Sequence, residues 1–308
     1  EHTFLIMQDS TKHWSLHATA SDAEAMKHKF EEIVGFSVEY KLLSCAPWRQ
    51  NLLLADRYRD GRVFLAGDSV HLVIPTGGLG MNTGVGDAFD LAWKLTGTLK
   101  GWGGPELLDS YEIERRQIGD RNVGASRYAN VGRQKWRSIA TDDIFSGTDA
   151  GKSTKQKLVQ LADSEQRKGN RMIGAELGYR YVDSPCIDNI PGGPEHRVGE
   201  YRPNVWPGSR LPHCWLDDGT ALQDRLPETY ILLCLSNKSL DTSQLRESYR
   251  AIGAPVSEVR IESRRIRDLY GFDFLILRPD MHVVWRGTDV PQNSQEIASI
   301  STGHGRND

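Results

Sequence analysis

One stretch, Arg62 to Leu95, constrains this chain more than any other: RVFLAGDSVHLVIPTGGLGMNTGVGDAFDLAWKL. It reads as strand, glycine-rich loop, helix. Val63, Phe64, Leu65 and Ala66 form a short apolar run of the kind buried in a parallel sheet, closed by Gly67 and Asp68. Pro75 stiffens the loop that follows. Gly77, Gly78 and Gly80 then remove side chains where the backbone turns into a helix, so that main-chain N–H groups can approach a ligand. From Asp87 onward Ala88, Leu91, Ala92 and Leu95 recur at helical spacing, which extends the helix as an amphipathic one.

A helix start offers unpaired N–H donors and partial positive charge, here near Gly80, Met81 and Asn82. Asp68 does a different job. A carboxylate repels phosphate but accepts hydrogen bonds from sugar or ribityl hydroxyls. Flavin joins such hydroxyls to a ring that takes up negative charge. A plain strand-to-helix crossover, with glycines that serve packing alone, produces the same pattern.

GRVFLAGDSVH, IPTGGLGMNTGVGDAFDLAWKL and LLDSYEIERR, in that order, resemble the second flavin-binding motif of the FAD-dependent aromatic hydroxylases, the class A flavoprotein monooxygenases. The resemblance implies an FAD site made by Gly67, Asp68, Pro75, Gly78, Gly80, Met81 and Asn82. In it Asp68 binds the ribose end of FAD, Pro75 lies beside the reacting edge of the flavin, and the helix start faces the pyrimidine carbonyl. It also implies that NAD(P)H reduces the flavin and that a flavin hydroperoxide then hydroxylates a phenolic ring. It identifies no catalytic side chain in these residues, only the backbone of Pro75 toward the substrate hydroxyl.

The rest of the chain is organised around that motif. A net charge of -3 with 26% charged residues gives no support for nucleic acid as a partner, and no apolar run reaches transmembrane length. The expected compartment is the cytoplasm. Cys45, Cys186, Cys214 and Cys234 show no CxxC and no close pairing, which points to reduced, buried thiols and no metal site. The opening EHTFLIMQDS is already strand-like, so the expectation is a piece of a longer chain. Two strands precede SDAEAMKHKFEEIVG, a helix with Ser21 and Glu24 as a capping box, Ala25, Phe30, Ile33 and Val34 inward, and Gly35 as its stop. Residues from Val38 to Gly61 are expected to return as a strand, with Trp48 packed in a core.

Pro105 opens another helix, with Leu107, Leu108, Tyr111 and Ile118 inward and Glu112, Glu114, Arg115 and Arg116 on a solvated face. Residues 138–170 read as a mobile connection with short helices, and the proline-punctuated stretch beyond as an interdomain wrap. His213 and Cys214 read as packing, as does His71. The end of the chain runs strand YILLCL, helix, strand VSEVRI, then hairpin and helix. It resembles the thioredoxin-like domain of the phenol- and polyketide-hydroxylase branch, with Ser236, Asn237, Lys238 and Ser239 where redox cysteines are expected.

The expected fold is thus mixed α/β: residues 1–51 as the end of a substrate-binding sheet domain, 52–145 as the C-terminal part of a Rossmann-like FAD-binding domain, 146–210 as a helical and loop connection, and 211–308 as a thioredoxin-like domain without CxxC. One departure from the family stands out. A GxGxxG fingerprint is not found, since G-L-G-M-N-T-G from Gly78 to Gly84 has the wrong spacing, and the missing N-terminal FAD-binding part is expected as a partner. The other expected partners are a phenolic substrate, dioxygen and a second copy of the chain as a homodimer. A nicotinamide-dependent dehydrogenase and a non-enzymatic thioredoxin-like interaction module are the alternative readings.

Overall fold

The computed structural model describes residues 3–9 and 11–306. They form two compact units, Glu1–Arg49 and Gln50–Asp308. In the first, strands β1 (Phe4–Met7) and β2 (Trp14–His17) pair antiparallel with Phe4 opposite His17, whose rings stack at 4.7 Å. Helix α1 (Ala23–Val34) ends at Gly35 in the left-handed conformation, φ 74°. Its cap is Asp22, not the expected Ser21 with Glu24. The Asp22 carboxylate accepts the Ala25 N–H at 2.9 Å, and Ser21 Oγ donates to Asp22 instead. No residue of α1 is buried, so its apolar stripe closes no core among the described residues. Residues 37–52 hold no strand, and Trp48 is exposed, both contrary to expectation.

The second unit starts with short ladders. Strand β3 (Leu53–Leu54) pairs with β6 (His71–Leu72), and β4 (Arg59–Asp60) with β5 (Val63–Phe64), all antiparallel. The apolar run at Val63 therefore differs from the expected buried parallel strand. Among the described residues no parallel neighbour lies beside it, and Val63 remains exposed.

Two long helices follow, α2 (Leu79–Leu99) and α3 (Pro105–Arg137), with Pro105 in the first turn of α3. The segment read as mobile contains a regular helix, α4 (Asp149–Ser164), because Thr148 caps it by accepting the Gly151 N–H. A short α5 (Ile173–Leu177) leads into the irregular wrap.

The last part has a four-stranded sheet: β7 (Tyr230–Cys234), β8 (Val256–Arg260), β9 (Phe274–Leu277) and β10 (Val283–Gly287), in the order β10-β9-β7-β8. Strand β7 runs parallel to β8 and antiparallel to β9, the thioredoxin-like arrangement. Helices α6 (Ser243–Ile252) and α8 (Ser294–Ser301) accompany it, with α7 (Arg264–Tyr270) inserted between β8 and β9. Helix α7 differs from the expected strand-to-strand connection. Ser263 caps it and Gly271, at φ 75°, stops it, so a helix fits where the sequence suggested strand following strand.

Strand β7 is buried on both faces, and its alternation serves two cores. Tyr230, Leu232 and Cys234 face a cluster that includes Trp93, Trp102 and Leu107 of the α2–α3 region. Ile231 and Leu233 face one built with Leu211, Leu222, Ile266 and Tyr270. The sheet is thereby packed directly on the two long helices. Main-chain bonds add to this: the N–H of Gly104 donates to Thr302 O and that of Glu106 to Gly303 O, at 2.8 and 2.9 Å.

Candidate cofactor site

The expected site residues fall on one turn and one helix start. Gly67, Asp68 and Ser69 form a single 3-10 turn, with Gly67 at φ 62° and Asp68 exposed. The Pro75 carbonyl accepts the Gly78 N–H at 3.0 Å and closes the loop. Gly77 (φ 97°) and Gly78 (φ 68°) are both left-handed, a conformation that a side chain would resist. Gly78 is the N-cap of α2, and no side chain caps the helix there. Its first turn therefore keeps the donors and partial charge that an anionic or carbonyl ligand seeks. Met81 is 78% exposed at this end. Asn82 is exposed too, but its Nδ2 donates to Gly78 O at 3.0 Å and so stiffens the helix start.

Gly80 serves packing as well. A Cβ there would stand 2.9 Å from Val73 Cγ2, so the glycine is needed by loop packing. A Cβ on Gly84 would lie 3.1 Å from Gly67 Cα, which shows how closely the turn is pressed on α2. An exposed carboxylate and an uncapped helix start are thus held in neighbouring parts of one structure, and both are fit for FAD.

Asp87 joins these parts. It is fully buried, and its Oδ2 accepts the Gly67 N–H at 3.0 Å and faces His71 Nε2 at 2.8 Å. Its Oδ1 accepts Arg115 Nε at 2.8 Å. Burial pushes the Asp87 carboxyl up, but His71, Arg115 and the Gly67 N–H outweigh it and hold the group below the usual range. His71 is buried in this contact, as the packing reading expected.

Residues 2–126 match the family model described as an FAD binding domain, and residues 204–302 match that of the aromatic-ring hydroxylase C-terminal region. The chain belongs to the FAD-dependent aromatic-ring hydroxylases. It is 30% identical to an FAD-dependent monooxygenase, apdD, of Emericella nidulans, over 96% of this chain and 51% of that protein. A putative polyketide hydroxylase of Streptomyces coelicolor is 36% identical, over 92% of this chain and 57% of its own length. A phenol 2-monooxygenase of Pseudomonas sp. is 29% identical over 81% and 46%. Among solved structures, the native and K252c-bound RebC-10x matches with a TM-score of 0.82 and 28% identity, covering 93% of this chain and 54% of that one. The flavin-dependent monooxygenase PieE, in complex with FAD and substrate, matches with a TM-score of 0.78 and 26% identity, covering 98% and 59%. The chain spans about half the length of the curated relatives it matches.

The interior of α2 and α3 departs from the expectation. The buried face of α2 carries Thr83, Asp87, Asp90, Lys94 and Gly97, whereas Ala88 and Ala92 of the expected stripe are exposed. The supposedly solvated face of α3 is engaged throughout. Glu112 accepts the N–H groups of Tyr58 and Arg59 at 2.6 and 3.0 Å, and Arg116 Nε donates to Ala55 O at 3.2 Å. Glu114 is fully buried, and it accepts Lys94 Nζ at 2.7 Å, Arg278 Nη1 at 2.5 Å and Ser184 Oγ at 2.5 Å. Lys94 also donates to Asp90 at 2.7 Å, and Arg278 to Asp280. The correction has a simple cause: Glu112 and Arg116 meet the segment 55–59, while Glu114 and Arg115 meet α2 and Arg278, so opposite sides of α3 are covered. The sequence held a signal, since Ser110, Glu114 and Arg115 share helical spacing with Leu107, Tyr111 and Ile118.

Three of the four cysteines are buried as expected, and Cys45 is exposed. Burial pushes Cys186 up to about 12 and Cys234 up to about 11, so both stay thiols. Cys214 Sγ lies 3.3 Å from Tyr270 Oη, and His213 pairs with Gln223, a packing arrangement. Among the described residues no group of three or more His, Cys, Asp or Glu could hold a metal, and no helix is long and apolar enough to cross a membrane.

Proposed function

We propose that this chain serves an FAD- and NAD(P)H-dependent monooxygenase that hydroxylates a phenolic or other aromatic ring. The observation that carries this reading is the uncapped start of α2 pressed, through Gly84, against the turn that exposes Asp68. In it Asp68 accepts hydroxyls of the ribose end of FAD, and the first-turn N–H groups at Gly80, Met81 and Asn82 stabilise negative charge at the pyrimidine carbonyl. Gly67 and Gly78 give the backbone its turns, and Pro75 fixes the loop edge that meets the substrate. Bound FAD, reduced by NAD(P)H, supplies the oxygen chemistry. One atom of dioxygen enters the ring and the other leaves as water, with two electrons from the nicotinamide.

The names of two relatives, a phenol 2-monooxygenase and a 2,4-dichlorophenol 6-monooxygenase, support a phenolic substrate class. The thioredoxin-like part is assigned a structural role, given its protonated thiols. The test is NADH and NADPH oxidation by the FAD-loaded protein under isotopically labelled dioxygen with a panel of phenols. One labelled oxygen per ring is expected. Oxidation that is indifferent to every phenol and leaves the rings unlabelled would contradict the proposal.

A further inference from the structure

Gly67 carries a left-handed φ of 62° at the head of the cofactor turn. A glycine populates that region freely but is not held in it, since the same freedom lets it leave. What holds it must come from outside the turn. Among the described residues, the side-chain acceptor on its N–H is Asp87, itself fully buried. We infer that Asp87 is a positioning residue for the cofactor turn, and that Arg115 and Tyr181 tie it to the segment that leads into the C-terminal sheet.

Both oxygens of Asp87 are committed, one to Gly67 and His71 and the other to Arg115. Arg115 is spent in turn: Nη1 donates to Tyr181 Oη at 3.1 Å and Nη2 to Thr83 O at 3.1 Å. Gly86 makes room for it, because a Cβ there would stand 2.8 Å from Nη2. The ring of Tyr181 stacks on His282, between β9 and β10, with centroids 4.4 Å apart and planes 27° from parallel. Contacts therefore run without a gap from the C-terminal sheet to the residue before Asp68. A carboxylate meant only to neutralise Arg115 needs no second oxygen on a glycine amide 20 residues away. This arrangement also gives a domain without redox cysteines a part in the cofactor site.

The inference rests on the assignment of the Gly67–Ser69 turn to FAD, so the experiment separates the two. Amide exchange and the Gly67 amide resonance are followed by NMR in the 308-residue chain, in Asp87→Asn and in Tyr181→Phe, with β7 and β9 as internal references. Asp87→Asn is expected to speed exchange at Gly67 by about tenfold and to move its resonance upfield, with β7 and β9 unchanged. Tyr181→Phe keeps the stacked ring and is expected to give about a threefold increase with the same pattern. Should Asp87→Asn not fold, Tyr181→Phe decides alone. Gly67 exchange within about twofold of the parent, or a rise shared equally by β7 and β9, overturns the inference. Unchanged FAD affinity in Asp68→Ala alongside faster Gly67 exchange in Asp87→Asn overturns the cofactor assignment, while the positioning of the turn stands.

Discussion

Asp90, Glu114 and Asp280 meet Lys94 and Arg278 in one buried cluster, which is one negative charge in excess when all are ionised. Burial raises Asp90 to about 7 against the pull of Lys94 and Arg278, and this takes up the excess by protonation. Glu114 feels the same burial, but the two cations hold it down to about 2. The sign follows from linkage. A carboxyl raised on folding binds its proton more readily in the native state, so its contribution is full below about 4 and is lost as pH rises toward 7. Relative to Asp90→Asn, the parent chain should lose stability across that window, with a slope of at most about 1.4 kcal/mol per pH unit. Urea melts of both proteins at pH 5 and pH 8 measure it, and a pH-independent difference would show that Asp90 is not the titrating group. At this scale the sequence was partly legible. GD, Pro75 and the glycines could be picked out as local backbone chemistry. Asp87, Asp90, Glu114 and Arg115 could not, because their partners lie far along the chain and charge on a helix is ordinarily solvated.

Helix α2 depends on small residues where other elements cross it. A Cβ on Gly97 would meet the Trp102 ring at 2.5 Å and Leu107 Cδ2 at 2.9 Å. Both neighbours belong to the core shared with the C-terminal sheet, so neither can step aside cheaply. Alanine would favour the helix by about 1 kcal/mol, but overpacking costs about 1–3 kcal/mol or more. Gly97→Ala is therefore expected to be destabilising on balance in chemical denaturation, and a more stable variant would mean that the Trp102 contact is soft. Element boundaries were readable wherever caps are local, as at Gly35 and Pro105. They were not readable at Val63 or from Val38 to Asn51, where strand formation depends on neighbours that the local pattern does not reveal. Helix α7 was missed because VSEVRI and FDFLIL look like consecutive strands and the cap at Ser263 is a single residue.

Within the larger unit, the C-terminal sheet and the two long helices share a core, and buried Asp87 ties the Gly67–Ser69 turn to α3. The thioredoxin-like topology was legible because its strand order follows from apolar runs and one crossover. Its role was not, since the function of a fold lies in its site, and here the expected redox position holds Ser236 to Ser239. What the structure adds is the packing of Tyr230 against Trp93 and Trp102, and the charges of Arg278 and Asp280 turned toward α2 and α3. In the function we propose, the turn exposing Asp68 and the open start of α2 together receive FAD. The most direct test is a flavin-fluorescence titration of the FAD-binding protein and its Asp68→Ala variant. A loss of about 1.5–3 kcal/mol in FAD affinity is expected, the worth of a charge-assisted hydrogen bond. Equal affinities in the two proteins would contradict the account.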